Sequence, residues 1–253
     1  MHILITAGGT DEKIDDVRKI TNQATGRLGK VIAERLQHEQ VTIHYVYGPN
    51  AVLPKSPANG TLLFYPIQSV NDLYHQMEQL LTTKKIDYVI HSMAVSDYYV
   101  KNSIASEQLA HMIATQIDHH AVESLEQQID TILKTNHFYP EQTDKKLSSD
   151  TEQLFIRLNK APKVIQSIKK WQPATTLIGF KLLVGVSEEH LTQVALQSIQ
   201  KNQADLILAN DLEKINDTEH HAILVDPTGI IERFETRQDI ASGLQSLIHA
   251  NLA

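Results

Sequence analysis

An apolar, β-branched run, Ile3-Leu4-Ile5-Thr6-Ala7, gives way at once to Gly8-Gly9-Thr10, and further on Thr25-Gly26 precedes Leu28, Val31, Ile32, the Arg35 stem and Leu36 at helical spacing. The run predicts a buried strand, the paired glycines a turn whose amides can approach a ligand, and Gly26 the start of a helix. A helix start leaves several amide protons without intrahelical acceptors, so turn and helix together form a candidate phosphate cradle. The three-glycine Gly-x-Gly-x-x-Gly turn that leads straight into a helix in dinucleotide-binding enzymes is missing. The loop between this strand and helix therefore has a separate task.

The pattern then repeats. Residues 41–48 and 61–67 predict strands, Val70, Leu73, Met77, Leu80 and Leu81 mark a helix, and 87–92 predicts a fourth strand. Strand and helix in alternation imply a parallel sheet covered on both faces. Ligands of such sheets sit beyond the carboxyl ends of the strands, which puts Gly8-Gly9 and the segment His91–Tyr99 on one rim. From 100 to about 144 the rhythm fails; charges, histidines and glutamines intersperse, with one amphipathic piece around Leu125, Ile129, Ile132 and Leu133. This predicts an arm or flap inserted at about 100–150 into a single domain of residues 1–253. The α/β rhythm is expected to resume with a strand at 153–158 and a helix with Pro162 in its first turn, carrying Val164, Ile165, Ile168 and Trp171. A strand at 176–183, a helix capped by Ser187, a strand at 204–209 ending in Asn210-Asp211, a hairpin around Asp226-Pro227-Thr228-Gly229 and a helix from Asp239 complete the prediction.

Bulk properties narrow the chemistry. With no cysteine the chain has neither disulfides nor a thiolate nucleophile. A formal charge of −7 opposes binding to nucleic acid or acidic membranes, so an anionic substrate must be held by local amides and cations. No apolar run reaches the roughly 20 residues that span a bilayer, and the expected location is the cytoplasm. The pairs His119-His120 and His220-His221 lack metal-ligand spacing and read as surface histidines, so no protein-held metal is expected.

Taken together and in order, Thr6-Ala7-Gly8-Gly9-Thr10, Asp15-x-Val17-Arg18, Thr21-Asn22-x-x-Thr25-Gly26-x-x-Gly29, Ala94-Val95-Ser96-Asp97-Tyr98, Lys146-Leu147-Ser148-Ser149, Gly179-Phe180 and Ala209-Asn210-Asp211 resemble the phosphopantothenate-cysteine ligase family of coenzyme A biosynthesis, in its stand-alone bacterial form. The resemblance implies a Rossmann-like, three-layer α/β nucleotide-binding fold with a mainly parallel sheet, an inserted flap and a C-terminal hairpin. It implies that a nucleoside triphosphate, CTP more often than ATP, with Mg²⁺, activates the carboxylate of 4′-phosphopantothenate as an acyl-nucleotidylate, which the amine of L-cysteine then attacks. It also implies a homodimer that works with a separate decarboxylase.

Residue by residue, the resemblance gives Asn22 the substrate carboxylate or acyl oxygen and gives Lys146 a flap position over the triphosphate, with Lys145 one register away. Gly8, Gly9, Ala24, Gly26 and Gly29 match the nucleotide-phosphate turn and helix start. Pro162, Lys163, Val164 and Ile165 match a further nucleotide-contacting turn, and Phe180 and Asn210 line the nucleotide. Met93, Ala94 and Asp97 match the pantothenate-binding loop, and Arg18 an arginine that reaches the substrate phosphate across a dimer interface. Gln197 and Ser198 stand where relatives often carry basic residues, leaving Lys201 as the nearest cation, and Met93 stands where a smaller residue is frequent. The competing readings are a nicotinamide-dependent oxidoreductase, which lacks a Tyr-x-x-x-Lys pair here, and a nucleotide sensor without catalysis.

Overall fold

A computed structural model describes residues 1–56, 60–135 and 151–250. The elements follow in the order β1 (His2–Ala7), β2 (Asp11–Lys13), β3 (Lys19–Thr21), α1 (Arg27–Arg35), β4 (Thr42–Tyr47), β5 (Thr61–Pro66), α2 (Val70–Thr83), β6 (Tyr88–His91), β7 (Tyr98–Ala105), α3 (Ser106–Gln116), α4 (Leu125–Lys134), β8 (Leu154–Lys160), α5 (Ile165–Trp171), β9 (Thr176–Leu183), α6 (Glu188–Asn202), β10 (Leu206–Ile215), β11 (His220–Asp226), β12 (Gly229–Phe234) and α7 (Arg237–His249). They form two compact units, one of residues 1–11, 21–97 and 162–253, the other of residues 12–20 and 98–161.

The first unit is built on an eight-stranded sheet of order β12-β11-β10-β9-β6-β1-β4-β5. Its six strands from β10 to β5 run parallel, and β11 and β12 close one edge antiparallel. Alternation decides what each face buries. Ile3, Ile5, Ile43, Tyr45, Ile90 and Leu208 pack with Ile32, Ala33 and Leu36 of α1 and Ile240, Leu244 and Ile248 of α7. The alternate residues, among them Leu4, Thr6, Val89 and His91, point to the opposite face, where α5 and α6 pack on β9 and β10. Each large aliphatic side chain so buried contributes about 1.5–3 kcal/mol, which is what holds the three layers together. The helices start where the sequence supplies acceptors: Ser69, Ser187 and Thr236 each receive an amide proton of the following first turn.

The chain runs from β1 outward through β4 and β5, then returns to β6 on the other side of β1. That reversal opens a crevice at the carboxyl ends of β1 and β6, the place where open α/β sheets bind ligands.

The second unit has its own small core of Ile104, Met112 and Ile132, with Leu109, Ile113 and Ile117 against it. Here the structure corrects three expectations. The stretch expected to break the rhythm is more ordered than that: the amphipathic piece around Leu125 forms α4 as expected, but β7 and α3 stand there too. The strand near 153–158 does not resume the main sheet; β8 pairs antiparallel with β7 in a two-stranded ladder. Each strand's partner lies some fifty residues away in sequence, so the local pattern could not announce the pairing. The helix expected around Pro162 begins three residues later, after a turn in which the Gln166 amide donates to the Lys163 carbonyl at 3.0 Å. The loop after Thr10 also carries a hairpin, β2 with β3, and β10 runs on to Ile215, which pairs with His220 of β11 beyond a shift in register after Asn210. The flap candidates Lys145 and Lys146 lie outside the described residues.

Candidate functional site

Gly8 follows β1 with φ +83°, a left-handed conformation that a side chain resists. Its carbonyl accepts the Ala94 amide at 2.9 Å, and the Ala94 carbonyl accepts the Thr10 amide at 3.2 Å, so the loop after β6 is stitched to the glycine turn. Thr10 Oγ1 meets Ser96 Oγ at 2.8 Å and accepts the Ser96 amide at 3.0 Å, extending the seam. Asn22, otherwise exposed, donates from Nδ2 to the Ala94 carbonyl at 3.4 Å, and its own carbonyl would lie 2.7 Å from a Cβ at Gly9. The expected catalytic asparagine and the expected substrate loop thus meet across Gly9.

Close approach explains the other glycines of this rim. A Cβ on Gly29 would lie 2.7 Å from Ala7 Cβ, so α1 can seat its start against β1 only with glycine there. Gly26, at φ +68°, caps α1 beside the Gly8 amide with no side-chain acceptor on the helix start. Ala24 is half-buried near Gly9. Gly48 is not singled out by sequence reading, yet a Cβ on it would stand 2.0 Å from the Gly9 carbonyl oxygen. Its only signal in the sequence is its position as the last residue of a predicted strand.

Beside this rim lies a cavity of about 420 Å³. The segment from His91 to Asp97 forms one wall, and Pro162, Lys163, Val164 and Ile165 with Gln166 form another. Phe180 and Lys181 of β9 and the α6 face bearing Val194, Gln197, Ser198, Lys201 and Asn202 complete it. Gly179 lets β9 approach α5, since a Cβ there would lie 2.7 Å from Ile207 Cδ1 and 3.0 Å from Ile165 Cδ1. Of the sequence candidates, Met93, Asp97, Pro162, Lys163, Val164, Ile165, Phe180 and Lys201 come together in this one cavity.

The lining is rich in donors. Lys163 Nζ pairs with Asp97, the one acidic side chain among the described residues of the lining. No described carboxylate lies within ion-pair distance of Lys181 or Lys201. The amides of Gln166, Gln197 and Asn202 and the hydroxyls of Ser96 and Ser198 add to them. Such a surface suits an oxygen-rich anion. His91, only 6% exposed, closes the sheet side; burial pushes its pKa down to about 4, so the ring is neutral at ordinary pH.

Two candidates stand elsewhere. Asn210 is buried, and its amide meets the His220 ring at 3.2 Å outside the cavity lining. The amide nitrogen can only donate, so His220 Nε2 accepts, and burial holds this histidine too at a pKa of about 4. Arg18 belongs to the second unit, where Nε and Nη2 donate to Asp15 Oδ2 at 2.9 and 2.6 Å, fixing the guanidinium on its hairpin. Among the described residues no three His, Asp or Glu side chains cluster as a metal would require.

Comparison with known proteins identifies the family and the fold. The profile of the DNA/pantothenate metabolism flavoprotein C-terminal domain matches residues 1–134 and 114–251. A solved structure described as the DNA/pantothenate metabolism flavoprotein from Streptococcus pneumoniae is 37% identical, with a TM-score of 0.81, each chain covered over 99% of its length. A coenzyme A biosynthesis bifunctional protein CoaBC of Thermococcus kodakarensis is 29% identical over 88% of this chain and 44% of its own length, so the chain spans less than half of that relative. The fold, at 15% identity and a TM-score of 0.65, is also that of a mutant Cab2 solved in complex with phosphopantothenate-cysteine, covering 99% of this chain and 86% of Cab2.

Proposed function

The chain belongs to the family of the DNA/pantothenate metabolism flavoprotein C-terminal domain, and from that membership we propose that it joins 4′-phosphopantothenate to L-cysteine at the expense of a nucleoside triphosphate. The observation that carries this reading is the meeting of Asn22 with the Met93-Ala94 loop across Gly9, next to a cavity lined by donors and three lysines. Relatives named for coenzyme A biosynthesis and a neighbour solved with phosphopantothenate-cysteine support it.

A carboxylate is a poor electrophile, and the arrangement suits its activation. The carboxylate oxygen attacks the α-phosphorus, the bond to pyrophosphate breaks, and an acyl-nucleotidylate forms. The cysteine amine then attacks the acyl carbon, loses a proton, and the nucleoside monophosphate leaves. Such a route needs no protein nucleophile; it needs reactants held in line and donors aimed at developing charge. In this reading Asn22 Nδ2 exchanges the Ala94 carbonyl for the acyl oxygen. The Gly8-Gly9 turn and the start of α1 face phosphate, while Lys163, Lys181 and Lys201 offset the charge of the triphosphate. CTP is the expected nucleotide, with Mg²⁺ carried mainly by its phosphates. Asp97, released from Lys163, is free to accept from pantothenate hydroxyl or amide groups. We further propose a homodimer in which Arg18 reaches the substrate phosphate of the partner, a separate decarboxylase that takes the product, and a cytoplasmic setting. No helix among the described residues is long and apolar enough to cross a membrane.

The test is pyrophosphate release with Mg²⁺, 4′-phosphopantothenate and either CTP or ATP, with and without cysteine. Cysteine-dependent formation of phosphopantothenoylcysteine is expected, and the faster nucleotide identifies the co-substrate. Nucleotide binding without turnover would replace the ligase by a sensor, and so would unchanged turnover in Asn22→Ala if the residual reaction proved to come from a contaminant.

A further inference from the structure

His91 has no task in the reaction as drawn, yet it closes the floor of the cavity. Thr6 and His91 are register partners on β1 and β6, and Thr6 Oγ1 lies 3.0 Å from His91 Nδ1. Thr6 is fully buried, so its hydroxyl must satisfy its hydrogen bonds within the protein. Its oxygen accepts the Met93 amide at 3.3 Å, which leaves the hydroxyl proton to be donated. Among the described residues His91 Nδ1 is the acceptor within reach, so Nδ1 accepts and the neutral ring carries its proton on Nε2. Nε2 has no hydrogen-bond partner among the described residues, and the ring lines the cavity. An N–H left this way and opening into the cavity calls for an acceptor there. No described group of the lining serves as one: its amides and hydroxyls make no hydrogen bond to the ring, and its carboxylate, Asp97, is held by Lys163.

We propose that His91 is a binding residue whose Nε2–H donates to a phosphate oxygen of the nucleotide, with Thr6 as the positioning residue that selects this tautomer. The proposal rests on the reading of the cavity as a nucleotide site. A neutral donor suits this depth in the sheet, where a cation would be poorly solvated, and it complements the lysines on the outer walls.

The experiment is ¹⁵N NMR of the histidine rings in the whole protein, with His91 assigned by the signal lost in His91→Gln. Free protein should show a protonated Nε2 and an accepting Nδ1, and Thr6→Val should let the two tautomers mix. Tripolyphosphate and CTP should each move the Nε2–H signal, whereas 4′-phosphopantothenate alone should not. In binding titrations His91→Phe should weaken tripolyphosphate about tenfold or more, and His91→Gln, which keeps an N–H donor, should stay within about threefold of wild type. A proton on Nδ1, a ring indifferent to both tripolyphosphate and CTP, or a response to 4′-phosphopantothenate alone would overturn the proposal. With His91→Gln supplying the assignment, the wild-type spectra decide it even if Thr6→Val or His91→Phe fails to fold. A responsive ring in a protein without cysteine-dependent turnover would sink the ligase reading and leave this one standing; a silent ring in an active ligase would do the reverse.

Discussion

The glycine rim and the neighbouring cavity share the loop after β6 but are built by opposite means. The rim is made of backbone: Gly8, Gly9, Gly26, Gly29 and Gly48 matter because nothing projects from them, and neighbouring main chain or an alanine methyl occupies the space a side chain would take. The cavity is made of side chains, with Lys163, Lys181, Lys201 and the polar α6 face around a fixed backbone. The difference teaches where sequence change is tolerated. On the rim a methyl group threatens the fold, while in the cavity the loss of a whole ammonium group leaves the fold intact and alters only what binds.

The largest expected effect breaks the rim. Gly48→Ala would drive a methyl into the Gly9 carbonyl, and a loss of roughly 3 kcal/mol or more of stability is expected, read by urea denaturation; near-native stability would show that the rim can relax. A broader effect comes from acid. His44, His91 and His220 are each held by burial at a pKa of about 4 against an ordinary value of 6.5. Each therefore stabilises the fold fully above pH 6.5, and this contribution falls as pH drops toward 4, because the unfolded chain takes up protons that the native rings refuse. A loss of a few kcal/mol between pH 7 and pH 4.5 is expected in denaturation at fixed ionic strength; a flat profile would mean that these rings are hydrated or paired.

Smaller effects sharpen the contrast from the cavity side. Lys181→Met with Lys201→Met should leave stability within about 0.5 kcal/mol of wild type while weakening nucleotide binding about tenfold, measured by calorimetry. Destabilisation on the scale of Gly48→Ala would erase the distinction between the two regions. Smallest of all, Lys163→Met removes a half-exposed ion pair with Asp97 and should change stability by less than about 1 kcal/mol, with any larger loss showing that the pair holds the α5 turn in place.

How much of this was legible follows the range of the signals. The strand of residues 2–7 and the helix of residues 70–83 are written in local periodicity, and the hairpin around residues 226–229 in turn chemistry. Asn22 was singled out by a motif in a fixed order along the chain, Met93 beside another such motif, and Lys163 by a further turn matched separately; the structure brings Met93 and Lys163 into one cavity and Asn22 to the Met93-Ala94 loop. Gly48 and His91 were not singled out, since the meaning of each lies in one contact with a distant residue, Gly9 for the first and Thr6 for the second. The ladder of β7 with β8 escaped for the same reason. Pro162 misled in a smaller way: its fixed φ suits a helix start, but the chain spends that residue on the turn before the helix.

By itself the sequence determined the alternation of strand and helix, the parallel sheet it implies, and the glycine turns that can stand close to phosphate. These depend on side-chain period and backbone freedom within a few residues, and both are local properties. Only the tertiary structure decided which glycines are spaces filled by a neighbour, which lysines share a wall, that Asn210 turns to His220, and which nitrogen of His91 carries the proton. Those outcomes depend on strand order and register, which bring together residues dozens of positions apart and let burial and hydrogen bonding select among states that the isolated chain holds open.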